Sequence, residues 1–279
     1  MSAALTDAGV AVTTDAAADV SVVVIAETLK PEDRMIVRQS ERPTVVVLNK
    51  ADLSGFGVGG PLALAHRRAA DINAATGSPT IAMVGLLAIA DLDDELFGAL
   101  QTLVRAPADL TSTDAFVASD HPLPREVRQR LLDALDRFGI ASAVLAIGDG
   151  ADAAAVRAEL RRLSLVDRVV AKLDAAGAPT RYRRVRAAIA ELHALAAQSG
   201  NRELAELLAA DDMVLAVMAV AVDVVEAEGM HVDRGDDPAA HRSRAVYWRR
   251  YSRGPVNALH RSCSADICRG SLRLYGRCR

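Results

Sequence analysis

Asn49-Lys50-Ala51-Asp52, at the end of a short apolar run, is the stretch whose residue types point most directly at a ligand. A carboxylate accepts two adjacent hydrogen bonds at once, and guanine offers such a pair in its ring N–H and exocyclic amine. Adenine presents the wrong pattern there and would leave a buried carboxylate unpaired. Asp52 is therefore the candidate reader of a guanine edge. Asn49 can use its amide on the purine edge and on the surrounding loop. Lys50 can lay its alkyl stem over the base while its ammonium stays in polar surroundings. The plainer alternative is a strand end followed by a polar turn. Composition argues against it, because three Lys stand beside thirty Arg, and a chance Asn-Lys-x-Asp at that frequency arises in about one chain in a few hundred.

The elements that must position these residues are also legible. Val45 to Leu48 has the length and β-branched character of a buried parallel strand. Its polar residues fall at the carboxyl end, where open α/β sheets bind ligands. A second buried strand spans Val20 to Ala26, and a helix opened by Pro31 and running to about Ser40 joins the two. Together they predict a right-handed, parallel βαβ unit. A helix over Leu62 to about Ala75, a third short strand over Thr80 to Val84 and a helix from Asp91 to Leu103 follow. A weaker strand is expected at Val10 to Thr13. Ser54-Gly55-Phe56-Gly57-Val58-Gly59-Gly60-Pro61 lacks the Lys-Ser/Thr that closes a phosphate cradle and reads as a flexible connection.

Asn49 to Asp52 in this setting is the base-reading motif of GTP-binding proteins, and residues 1–106 resemble the back half of a P-loop GTPase domain. The resemblance implies GTP or GDP as ligand, with Asn49, Lys50 and Asp52 on the base. It also implies a backbone N–H from the loop after the third strand on the guanine oxygen. The equivalent stretch here is Ala82-Met83-Val84-Gly85-Leu86-Leu87, which departs from the family's Ser-Ala wording and offers Val84, Gly85 and Leu86. The phosphate half has no counterpart. No Gly-x4-Gly-Lys-Ser/Thr occurs, and Asp15-Ala16-Ala17-Ala18 lacks the glycine of a metal-side Asp-x-x-Gly. Mg²⁺ is expected only if a phosphate site is supplied elsewhere. The chain then reads as a truncated relative, a late-starting frame or a half completed by another chain, and it is expected to be catalytically incompetent alone.

Hydrophobic residues make up 51% and charged residues 25%, so a packed core is feasible, while aromatics at 3% leave it to Ala, Val, Leu and Ile. Three cysteines, all beyond residue 260, give no disulfide framework. Met1 to Ala11 has no leader pattern. The most apolar window, Met213 to Val222, is too short to span a bilayer. A cytoplasmic protein without a transmembrane segment is expected, with membrane association left open.

The expected fold class is α/β plus α: a partial parallel-sheet domain over 1–106, a helical bundle over 107–230 and a basic tail over 231–279. Val127, Leu131, Leu132, Leu135 and Phe138 share one helix face, with a break or kink expected at Gly139. Further helices are expected over Asp152–Leu163, Val166–Ala176 (ended by Gly177), Arg181–Ala197 and Glu203–Glu228. Leu131 to Ala141, Leu160 to Ser164 and Arg181 to Arg184 resemble actinobacterial dynamin-like GTPases, in which a G domain precedes such helices. That implies assembly or membrane remodelling only by analogy, and no amphipathic membrane paddle is evident.

The tail carries eleven Arg against four acids, a net of +7 beside −10 for residues 1–230. Arg interleaved with aromatics over Tyr247 to Arg253 could bind RNA or an acidic surface, or the tail could pack on acidic residues of its own protein or of a partner. His260, Cys263 and Cys268 do not match the usual zinc spacings, and no metal is expected. Arg181, Arg183, Arg184 and Arg186 read as a solvated helix start rather than a phosphate site, and His193 as a packed or surface histidine. The rival to the guanine reading is a non-enzymatic helical interaction or scaffold protein whose basic tail holds an acidic partner or nucleic acid; under either reading a homo- or hetero-oligomer is left open.

Overall fold

A computed structural model describes residues 1–15, 17–55 and 57–278. Ala16, within the Asp15–Ala18 stretch, and Phe56, within the Gly-rich loop, lie outside the described residues, as does Arg279. The fold is α/β plus α. After a short helix α1 (Ser2–Asp7) come β1 (Ser21–Ala26), α2 (Pro31–Gln39), β2 (Thr44–Asn49), α3 (Gly60–Thr76) and β3 (Thr80–Ala82). The three strands are parallel in the order β1-β2-β3, with Val24 opposite Val47 and Val47 opposite Ile81. β2 is central, which explains its unbroken apolar run: Val45 to Leu48 are all buried.

Helices then follow in series: α4 (Asp94–Arg105), α5 (Thr113–Ala118), α6 (Arg125–Gly148), α7 (Ala153–Ser164) and α8 (Val166–Ser199). Side-chain caps set several starts. Asp93 accepts from the Leu96 N–H at 2.8 Å, Ser112 from Ala115 at 2.9 Å and Asp152 from Ala155 at 2.8 Å. The helices α4, α6 and α7 do not form a bundle of their own. Leu100, Leu131, Leu135, Ile140, Val156 and Leu160 share one core with Val23, Val46 and Leu48 of the sheet and Ala65, Ala69 and Ile72 of α3. The apolar residues of the sheet need cover, and these helices supply it.

The chain forms two compact units that divide inside α8, at Lys172/Leu173, rather than at 106/107 and 230/231. The second unit holds α9 (Arg202–Ala209), α10 (Asp211–Ala227), α11 (Pro238–Tyr251) and α12 (Ala258–Arg277). Residues 231–278 thus pack within this unit, the alternative in which the basic segment lies on its own protein. Trp248, Cys263 and Ile267 are buried with Tyr182, Ala221, Val224 and Val225 in its core. Arg244 Nε donates to Ser271 Oγ at 3.0 Å, and the Tyr251 hydroxyl meets His260 Nδ1 at 2.8 Å, so α11 and α12 run antiparallel. Part of the basic charge is met locally: Arg273 and Arg277 pair with Asp211, and Arg277 also with Asp212, at 2.8–3.3 Å.

α10 and α12 cross where Gly270 meets Met218. A Cβ on Gly270 would lie 2.7 Å from Met218 Cβ, an atom that only a shift of the helix can move. Gly270→Ala is therefore expected to lower stability by about 1–3 kcal/mol despite alanine's better helix propensity. A circular-dichroism melt checks this, and an unchanged or raised midpoint would contradict the crossing.

Several sequence expectations are corrected. The Val10–Thr13 strand is absent, and β3 stops at Ala82. α6 runs through Gly139, and its irregularity is at Asp136 (φ 52°, ψ 176°). Gly139 is used for close packing, since a Cβ there would meet Leu87 Cδ2 at 2.6 Å. The helices expected over Val166–Ala176 and Arg181–Ala197 are one, with Pro179 inside it. There Arg181 Nη2 donates to the Asp174 carbonyl at 2.9 Å, close to the turn that Pro179 deprives of an N–H. Conversely, Glu203–Glu228 is broken at Ala210, whose ψ of 150° is extended.

Candidate functional site

Asn49, Lys50 and Asp52 sit at the carboxyl end of the central strand. Asn49 is the last residue of β2, opposite Ala26 of β1. Its Oδ1 accepts the Gly85 N–H at 2.9 Å, which ties the loop after β3 to the end of β2. This bond needs a glycine, because a Cβ on residue 85 would lie 2.8 Å from that same oxygen. With Oδ1 engaged, the Asn49 amide nitrogen is the group left to point at a ligand. Lys50 is exposed and holds a left-handed backbone (φ 59°, ψ 41°) that non-glycine residues seldom adopt. Ala51 to Leu53 form one 3₁₀ turn, pinned by the Ala51 N–H on the Met83 carbonyl at 3.1 Å.

Asp52 is half-buried. Burial is the main cause raising its pKa above the usual carboxylate value, and Asp136 adds to the rise. The Asp52 backbone N–H and Lys50 oppose it. No arginine is among the groups that act on it. A carboxylate that is partly desolvated, faces a second carboxylate and lacks a strong cation is held in an unfavourable state. Such groups concentrate at functional sites, although structural ones also occur. In the sequence Asp136 falls outside the apolar stripe of Val127, Leu131, Leu132, Leu135 and Phe138, and the stripe gives no sign of its role. Its non-helical backbone, with its carboxylate accepting the Arg137 N–H at 2.6 Å, is a long-range arrangement that helical periodicity does not reveal.

The loop after β3 changes the backbone assignment. The Val84 N–H donates to the Ser164 carbonyl at 3.0 Å, and the Gly85 N–H to Asn49. Both are spent within the fold, so of Val84, Gly85 and Leu86 only Leu86 keeps an N–H without a partner among the described residues. A cavity of about 810 Å³ in this unit lies elsewhere. Gly59, Gly60, Phe138, Ser142, Asp149 and Glu159 are among its lining residues, and neither Asn49, Lys50 nor Asp52 is.

Other candidates resolve into internal contacts. Arg186 pairs with buried Asp266 at 3.2 Å, and Arg181 lies 3.8 Å from Asp174. His193 is an exposed residue of α8. His260 Nδ1 is taken by Tyr251, while its Nε2 lies 2.9 Å from Glu228 without the alignment of a hydrogen bond. Among the described residues no three His, Cys, Asp or Glu side chains converge as metal ligands. Cys263 is fully buried, and burial pushes its thiol up to about 11. Iodoacetamide is therefore expected to modify exposed Cys278 in the native protein and Cys263 only on unfolding. Peptide mass spectrometry checks the order, and equal rates at both residues would contradict the burial.

Comparison with family models, curated proteins and solved structures returns no match for the chain. Among the described residues, no helix is long and apolar enough to cross a membrane.

Proposed function

We propose that this chain binds a guanine nucleotide through the carboxyl end of β2 and is a GTPase-like protein, related to the dynamin-like group, that does not hydrolyse GTP unaided. The observation that carries the reading is Asp52: a half-buried carboxylate without a strong cation, at the end of the central strand of a parallel sheet. Asn49, latched to Gly85, holds the loop from which Leu86 can donate to the guanine oxygen. Lys50, exposed and left-handed, is free to cover the base. The order β1-β2-β3 is the one expected for the back half of such a domain.

GTP or GDP is the ligand of this reading. With base contacts alone binding is weak, because the phosphates contribute nothing to it. Mg²⁺ and tighter binding require a phosphate site from elsewhere, because the sequence carries no phosphate loop. Competition of unlabelled GDP and ADP against a fluorescent GDP analogue tests the proposal. GDP should displace the analogue and ADP should not, and Gly85→Ala should weaken binding several-fold by pushing on Asn49. Equal displacement by both nucleotides would remove the guanine site.

A further inference from the structure

We infer that the groove between α11 and α12 is a docking site for an acidic amphipathic helix of a partner protein. The inference is independent of the nucleotide reading, since every residue involved lies in the second unit. Two stripes at helical spacing form the groove. Arg242, Val246 and Arg249 stand at intervals of four and three along α11. Ala265, Cys268 and Leu272 stand at intervals of three and four along α12, and together they line a cavity of about 510 Å³. Because the helices run antiparallel, the stripes lie side by side over about two turns, the footprint of a third helix.

The floor is apolar and open. Val246 is 44% and Leu272 54% exposed, although each belongs to a helix whose opposite face is fully buried. The rim is cationic and uncommitted. Several other arginines of this unit find carboxylates: Arg234 with Glu226, Arg269 with Asp266, and Arg273 and Arg277 with Asp211. Arg242, Arg249 and Arg250 have no carboxylate partner among the described residues. Acids thus meet Arg269, Arg273 and Arg277 of α12 but none of the arginines on the α11 outer face. An apolar floor between cationic rims matches a helix with an aliphatic stripe flanked by Glu and Asp. Single-stranded RNA fits less well, because Ala245, Val246, Ala265 and Leu272 make the lining mainly aliphatic and Tyr275 is its single ring for stacking.

The test uses the full chain and a fluorescein-labelled synthetic helix of roughly 18 residues, with Leu at i, i+4 and i+7 and Glu on both flanks. Fluorescence anisotropy should show saturable binding that a peptide with Lys for Glu does not reproduce. Arg242→Glu with Arg249→Glu should weaken it about tenfold or more. Arg242→Gln with Arg249→Gln, at exposed positions where folding is not at stake, should weaken it about threefold. Val246→Asp should also weaken it, with the circular-dichroism spectrum unchanged. Binding indifferent to the Gln pair and to Val246→Asp would overturn the inference. So would oligouridine competing as strongly as the acidic peptide, or concentration-dependent self-association that the same variants abolish.

Discussion

Asp52→Asn should cost the protein its preference for guanine over adenine nucleotides and at the same time make the free protein more stable. The amide can accept only one of the two guanine donors and turns its own N–H toward the other. A lost bond to a charged acceptor is worth about 1.5–3 kcal/mol, or roughly 10–100-fold in affinity. The stability gain follows from the direction of the pKa shift. Burial raises the Asp52 carboxyl in the folded chain, so the unfolded chain ionises it at lower pH than the folded one. Its unfavourable contribution is absent below the ordinary carboxylate pKa, grows as pH rises through the raised value, and is complete at neutral pH. The Asn variant should therefore melt higher than the parent at pH 7, with the gap closing toward pH 3. A variant that melts lower at pH 7 would mean the carboxylate is satisfied by the fold itself, and its role as a waiting acceptor would be lost.

Trp248→Ala should be the most damaging single change in the second unit. The indole is 1% exposed, and it packs edge-on against Tyr247 and Tyr251 with ring centroids 5.3 and 5.4 Å away. Truncating a buried Trp costs about 3–5 kcal/mol from lost transfer energy and the cavity left behind. In a domain of ordinary stability that is enough to populate the unfolded unit. Chemical denaturation followed by far-ultraviolet circular dichroism measures it, and Trp248→Phe, which keeps a ring in the site, should recover part of the loss. A shift below about 1 kcal/mol for Trp248→Ala would contradict the packing of α11 in this core.

What could be read from the sequence divides along the range of the interactions. β1 and β2 were legible because β-branched runs of that length are strands wherever they pack, and Pro31 marked the start of α2 correctly. The errors fall where a residue's meaning depends on a distant neighbour. Gly139 looked like a helix breaker and is a contact surface for Leu87. Gly177 looked like a terminus and lies, with Pro179, within α8. The Arg count of residues 231–279 masked a better signal: the chain's only Trp, flanked by Tyr247 and Tyr251, marked a core rather than a tail. At the candidate site, motif spacing placed Asn49, Lys50 and Asp52 together. The engagement of the Val84 and Gly85 N–H groups, the left-handed turn at Lys50 and the approach of Asp136 arise only from the fold, because each depends on the loop after β3, on the local backbone or on α6.

The central claim is that a guanine base lies on Asp52 beside the loop that Asn49 holds. Titrating the ¹⁵N-labelled full chain with guanosine and then adenosine monophosphate tests it most directly. Amide shifts that appear with the guanine nucleotide alone, clustered at Lys50 to Ser54 and at Leu86 and absent from Asp52→Asn, are the predicted result. Shifts of equal size with both nucleotides, or guanine shifts that leave Asp52 and Leu86 unmoved, would contradict the account.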